Sequence, residues 1–268
     1  MLETPLTIVA VLFAWWASTG LVLALAWLGP TARGLAFVAT TVAAAAGLVA
    51  VALSARADTA GAVWLGFTSA LVVWAWHELA FLGGLVTGPN RAPCPPDARG
   101  LRRFYLATLT VIHHELALFA TLVLIVALTW GAPSQVAPLT FAALWVMRLS
   151  SKLNLFFGVR NVSHGFLPEP LRFLPTYFGR SGRSRGLGLS IAAGTFSVVA
   201  CVGVKASLAL SAAQQLGLTM VATMLALGVL EHVFLAVPLG DAALWQWISR
   251  SRERRGPALS SASPPVRP

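Results

Sequence analysis

Seven runs of this chain hold little besides Ala, Leu, Val, Ile, Phe, Trp, Gly and Thr. They are Leu6 to Leu28, Leu35 to Leu53, Ala62 to Leu85, Phe104 to Trp130, Val136 to Phe157, Leu187 to Leu210 and Leu216 to Val237. Each has about 19 to 27 residues, enough for a helix to cross the ~30 Å hydrocarbon core with some tilt. Backbone polar groups in lipid must be satisfied within the segment, which leaves helices as the structure such runs can adopt. A soluble domain carries about 25% charged residues, whereas only 10% of this chain is charged and 57% is hydrophobic. The expected fold is all-α: a polytopic membrane protein of seven transmembrane helices. The N-terminus has no basic region and no small-residue cleavage site, so the first run is expected to remain as a helix.

Positive charge accumulates in cytoplasmic loops, and its distribution tests the helix count. Of the 19 Lys and Arg residues, fifteen fall on one side of a seven-helix arrangement. These are Arg33; Arg91, Arg99, Arg102 and Arg103; Arg160, Arg172, Arg180, Arg183 and Arg185; and Arg250, Arg252, Arg254, Arg255 and Arg267. The other side has Arg56 alone, while Arg148, Lys152 and Lys205 lie within the runs. The expected topology has a periplasmic N-terminus and a cytoplasmic C-terminus in a bacterial inner membrane. The net charge of +10 then reads as a topology signal and a surface for anionic lipid, and nothing in it calls for nucleic acid.

The division that follows is a transmembrane domain over 1–248, with cytoplasmic loops 86–103 and 158–186, and a disordered Arg, Ser and Pro-rich tail over 249–268. The first loop, with Gly88-Pro89-Asn90 and Pro93-Cys94-Pro95-Pro96, reads as an ordered connector without helix. The second alternates apolar and aromatic residues with proline between Gly165 and Phe178, which suits a segment in the headgroup zone or a docking surface. Cys94 and Cys201 set no disulfide framework. Lys205 is expected to snorkel to the interface, and most of the ten tryptophans to form interfacial belts. No Walker loop, dinucleotide fingerprint or serine elbow stands in a believable context.

Charged groups deep in an apolar run cost roughly 2.5 to 3.5 kcal/mol on insertion scales, so they face protein or a wet cavity and have partners. Here His77-Glu78, His113-His114-Glu115 and Glu231-His232 lie in three different runs. At 1.5 Å per residue the three carboxylates fall roughly 9 to 17 Å inside the cytoplasmic boundary, in one layer. The fifth run brings Arg148, Lys152 and Asn154 to the same depth, with Asn161 and His164 just beyond. Arg148 and Lys152 are i, i+4 neighbours on one helical face and need anions beside them. Trp74, i−3 to His77 and i−4 to Glu78, is expected to lie over both.

Three readings of this layer stay open. One is a structural network of Glu78, Glu115 and Glu231 against Arg148 and Lys152, with Asn154. Another is an Fe or Mn site built from His77, His114, Glu115, Glu231 and His232, although the Glu-x-x-His pairs of ferritin-like proteins are absent. The third is a tetrapyrrole site, with a neutral imidazole, His77 beside Trp74 and Trp76 or else His113, reaching the central metal.

The combination of Trp76-His77-Glu78 with Phe81, Gly84 and Gly88-Pro89, then His113-His114-Glu115, then Lys152 to Asn161 followed by Phe166-Leu167-Pro168, then Glu231-His232, resembles the photosynthetic complex assembly protein PuhE family of purple phototrophic bacteria. The resemblance spans nearly the whole chain and is most specific from Lys152 to Pro168. It implies an inner-membrane factor that supports accumulation of the reaction centre and its antenna, by modulating or delivering bacteriochlorophyll, with reaction-centre or antenna subunits and pigment-synthesis proteins as partners. It assigns no catalytic residue. His77, Glu78, His113, His114, Glu115, Glu231 and His232 are accordingly the candidate cofactor-binding residues, for a bacteriochlorophyll-type tetrapyrrole or for Fe or Mn. A metal-dependent membrane enzyme of tetrapyrrole or lipid oxidation, using the buried His/Glu site, is the alternative function, and a purely structural scaffold the third.

Overall fold

The computed structural model describes residues 3–161, 167–179, 182 and 184–237. Among them are seven α-helices: α1 Glu3–Ala26, α2 Pro30–Ser54, α3 Ala60–Leu82, α4 Gly100–Leu128, α5 Val136–Phe157, α6 Arg185–Ser207 and α7 Ala212–Ala236. The boundaries follow local chemistry. Pro30 opens α2, where its missing N–H costs nothing, and Thr59 caps α3 by accepting from the Ala62 amide. Ser211 and Gln214 form a reciprocal capping box at the start of α7. His164 and the tail 249–268, expected at the layer's edge and as disordered chain respectively, lie outside the described residues.

Six of the seven helices, all but α5, are long and apolar enough to cross a membrane. The exception has a physical cause: α5 is 22 residues long but carries Arg148, Ser150, Ser151, Lys152 and Asn154 in its second half. It is tolerated because α3, α4, α6 and α7 all pack against it. α3 is apolar on all sides and is the most enclosed of the six, with Val63, Phe67, Val73 and Leu79 buried. One core cluster joins Phe67 to Val11, Met220 and Met224, and a second joins Val73 to Val51, Leu118 and Phe141. The exposed faces of α1, α2, α4 and α6 carry large apolar side chains such as Phe13, Val42, Leu116 and Phe196, the composition that lipid contact requires.

The two long loops pack on each other and on the bundle. The first, as expected, has no helix up to Arg99, but Arg102 and Arg103 belong to the first turn of α4. Its Gly88 lies against the α4 backbone so closely that a Cβ would sit 2.1 Å from the Leu109 carbonyl oxygen. That approach lets the Asn90 amide donate to Leu109 O at 3.1 Å and the His114 amide to Thr87 O at 3.0 Å. The described part of the second loop folds into two short 3-10 turns, Glu169–Leu171 and Leu174–Tyr177, whose Leu171, Leu174 and Tyr177 are buried. Leu171 and Leu174 join Val22, Leu79, Phe81 and Leu82 in a third core cluster, because burying such residues against the helix ends removes more apolar surface from water than leaving them in a loop.

Candidate functional site

Of the three carboxylates and two cations expected to share a layer, Glu78, Glu115, Arg148 and Lys152 pair through α3, α4 and α5, and Glu231 of α7 does not join them. Lys152 Nζ donates to Glu115 Oε1 at 2.6 Å, and the Trp145 indole donates to Glu115 Oε2 at 3.0 Å. Both oxygens of Glu115 are therefore engaged. Arg148 donates through Nη2 to Glu78 Oε2 at 3.2 Å. Lys152 also lies 4.9 Å from the centre of the Phe81 ring, a cation–π contact strengthened away from water. Glu231 lines the same cavity as Glu78 and Arg148, and no hydrogen bond or ion pair reaches it among the described residues. Asn154 takes no part in this network. Its amide donates to Ser150 O and Ser190 Oγ and its carbonyl accepts from Ser184, which ties α5 to α6.

The histidines divide sharply. His232 is fully buried, with Nδ1 2.7 Å from the Gly228 carbonyl and Nε2 3.0 Å from Ser150 Oγ. That carbonyl can only accept, so Nδ1 carries a hydrogen, and both nitrogens are occupied. His77 is buried on α3 and shares a hydrogen bond with Thr121 through Nε2 at 2.9 Å. The ring nearest to it is Trp76, 4.7 Å away, with Phe141 at 6.1 Å and His114 at 6.5 Å, while Trp74 packs edge-on against Phe141. Trp76 is itself fixed by donating to Thr41 at 2.8 Å. His114 has no exposed surface, lies 4.5 Å from Phe81, and makes no side-chain hydrogen bond; its nearest acid is Glu78 Oε1 at 3.7 Å, beyond hydrogen-bonding range. His113 is exposed on the outer face of α4.

The five candidate metal ligands do not converge. Among the described residues no group of three His, Cys, Asp or Glu side chains is placed to hold a metal ion. Lys205 donates to Thr219 of α7 at 2.8 Å.

Two cavities flank the ion pairs. The smaller, about 130 Å³, lies among α1, α3, α5 and α7 and is lined by Ser18, Thr19, Trp74, Glu78 and Glu231. The larger, about 480 Å³, is a slot between α4 and α5 with Phe81, Phe104 and Phe156 in its walls, Glu115 and Lys152 at its polar end, and Leu167, Leu174 and Tyr177 closing the other. Arg148 is the one residue common to both linings. None of the four described histidines lines either space.

The closure is built from both loops. The Tyr177 hydroxyl accepts from Asn90 Nδ2 at 2.9 Å and donates to the Ala92 carbonyl, and the Cys94 amide donates to Thr176 Oγ1 at 2.8 Å. Arg103 lies 4.4 Å over the Phe156 ring and donates to the Phe156 and Tyr177 carbonyls. Further out, Arg102 pairs with Asp97 and, through that hydrogen bond first, holds its carboxyl below the usual carboxylate range; so exposed a pair adds little to stability.

Trp145 and Thr121 were within reach of sequence reasoning. Trp145 is i−3 to Arg148 and i−7 to Lys152, and Thr121 is i+7 to His114, so each shares a helical stripe with a residue already singled out. Tyr177 and Asn90 carried no such signal, because loop-to-loop contacts have no period.

A relative in Rhodobacter capsulatus, named as an uncharacterized 30.4 kDa protein in the puhA 5′ region, is 36% identical over 260 residues, covering 94% of this chain and 93% of its own length. No solved structure matches the chain. Residues 1–256 match a family described as protein of unknown function (DUF3623). A multi-span, all-helical chain with this family matched along nearly its whole length belongs to DUF3623.

Proposed function

We propose that this protein is an assembly factor for photosynthetic reaction-centre and light-harvesting complexes, acting within the bacterial inner membrane and influencing how bacteriochlorophyll reaches them. The observation that carries the reading is the full-length relative encoded in the puhA 5′ region, together with the resemblance of the Lys152 to Pro168 stretch to the PuhE family. Geometry favours a binding or scaffolding role over catalysis. The acids and bases on α3, α4 and α5 are mostly engaged with one another, whereas a general acid or base must face a substrate.

In this reading all seven helices cross the membrane, α5 included, since its cations are neutralised by Glu78 and Glu115 inside the bundle. The end built from the two long loops faces the cytoplasm, where Arg91, Arg99, Arg102, Arg160 and Arg172 meet anionic headgroups and nascent subunits. The slot between α4 and α5 gives a membrane-soluble ligand room to lie against the ion pairs. Deleting the gene in its own phototrophic host tests the proposal. The near-infrared bands of reaction centre and antenna should fall together, and be restored by the wild-type gene, while transcripts of the complex subunits stay level. Unchanged bands in growing and newly induced cells would overturn it.

A further inference from the structure

The slot between α4 and α5 has chemistry specific enough to name the kind of molecule it takes. Its walls are aromatic: Phe81, Phe104, Phe156, Tyr177 and Phe178. It runs from Phe104 to Glu115 along α4, eleven residues or roughly 16 Å of helix, and Phe104 and Leu153 on its lining are exposed on the face that would meet lipid. Its volume of about 480 Å³ lies in the range of pockets for compact organic ligands, and suits one ring with the start of a chain.

The polar end settles which hydrogen bonds such a molecule must supply. Glu115 has no oxygen left over, since Lys152 and Trp145 occupy both. Arg148 uses one of its five N–H donors, on Glu78, and Lys152 one of three, on Glu115. The cations facing the slot therefore have donors to spare, while each Glu115 oxygen already accepts one hydrogen bond. A ligand must bring oxygens that accept. It must also be uncharged, because Arg148 and Lys152 are already neutralised by Glu78 and Glu115, and a further anion away from water would have no cation of its own. The two donors are one helical turn apart on the same face of α5, so a single ring can lie beside both.

We infer that this slot binds a neutral, lipid-borne ring bearing two carbonyls, a molecule of the prenylquinone class, with its carbonyl oxygens accepting from Arg148 and Lys152 and its chain leaving between α4 and α5. The inference rests on the reading that the slot holds a membrane-soluble ligand, and it stands or falls separately from the assembly role, which the gene deletion tests.

The test is a titration of the full-length protein, purified in mild detergent, with decylubiquinone, read by quenching of tryptophan fluorescence; Trp145 sits on Glu115 at the polar end. Saturable binding of one molecule per chain is expected. The reduced quinol, whose hydroxyl oxygens are weaker acceptors than carbonyls, should bind more weakly, a difference that a merely structural Arg148 would not produce. Arg148→Leu should weaken binding at least tenfold. Thr108→Trp, placed in the half-buried slot wall away from the ion pairs, should abolish it while the melting temperature stays at the wild-type value, which covers the case in which the Arg148 variant does not fold. Absence of saturable quenching, or binding indifferent to Thr108→Trp, would overturn the proposal. So would oleate binding as tightly as the quinone, which would make the ligand an anion, or pheophytin displacing it at lower concentration, which would make it a macrocycle.

Discussion

Lys152 and Glu115 meet with 20% and 13% of their side chains exposed, so each depends on the other. Removing one partner of a buried pair leaves an uncompensated charge and typically costs about 3 to 5 kcal/mol, whereas replacing both costs far less. Lys152→Ala is therefore expected to lower the unfolding temperature in detergent sharply, and Lys152→Ala with Glu115→Gln to recover most of it. A double variant as unstable as the single one would mean that Lys152 acts through its contact with Phe81 and not through Glu115. At this scale the sequence was informative about charge and less so about histidine. A carboxylate within an apolar run is costly without a cation, and depth placed Glu78 and Glu115 beside Arg148 and Lys152, though it did not show that Glu231 would stay outside the pairs. An imidazole has no such compulsion, so nothing in the pattern separated His232, held by Gly228 and Ser150, from the outward-facing His113.

At the scale of elements, α4 and the loop before it act as one unit because Gly88 lets main chain touch main chain. A methyl group there has no space, since the nearest atoms belong to the α4 backbone and not to a side chain that can turn away. Overpacking of this kind costs about 1 to 3 kcal/mol, occasionally more, and here it would also part Asn90 from Leu109 and Thr87 from His114. Gly88→Ala should destabilise the protein by about 3 kcal/mol and speed proteolysis within residues 86–99, measured by limited digestion of the purified protein. Wild-type resistance would show that the loop can shift off the helix without cost. The helices themselves were legible to within about five residues, since each is a mostly apolar run followed within a few residues by Gly, Pro or Ser. The fold of 167–179 was not: its Leu and Tyr positions read equally well as lipid-facing, and only contact with α3 decides otherwise.

For the whole molecule, sidedness is the property that loop charge predicts and that helix packing cannot. Reporter fusions active only in the periplasm should give signal after Arg56 and after Pro133, and none after Asp97, Arg172 or the C-terminus. Signal on both sides of α5 would make that helix re-entrant and reduce the crossings to six. The sharing of Arg148 between the two cavities has a further consequence. Because Arg148 faces both spaces, whatever draws the guanidinium toward the slot loosens its hold on Glu78 and changes its distance from Glu231. Occupancy of one compartment and the electrostatics of the other are then linked quantities, and the linkage must be reciprocal. Binding measured on the α4 and α5 side would shift with protonation of Glu231, which never touches the ligand, by the same factor with which the ligand shifts the affinity of Glu231 for its proton.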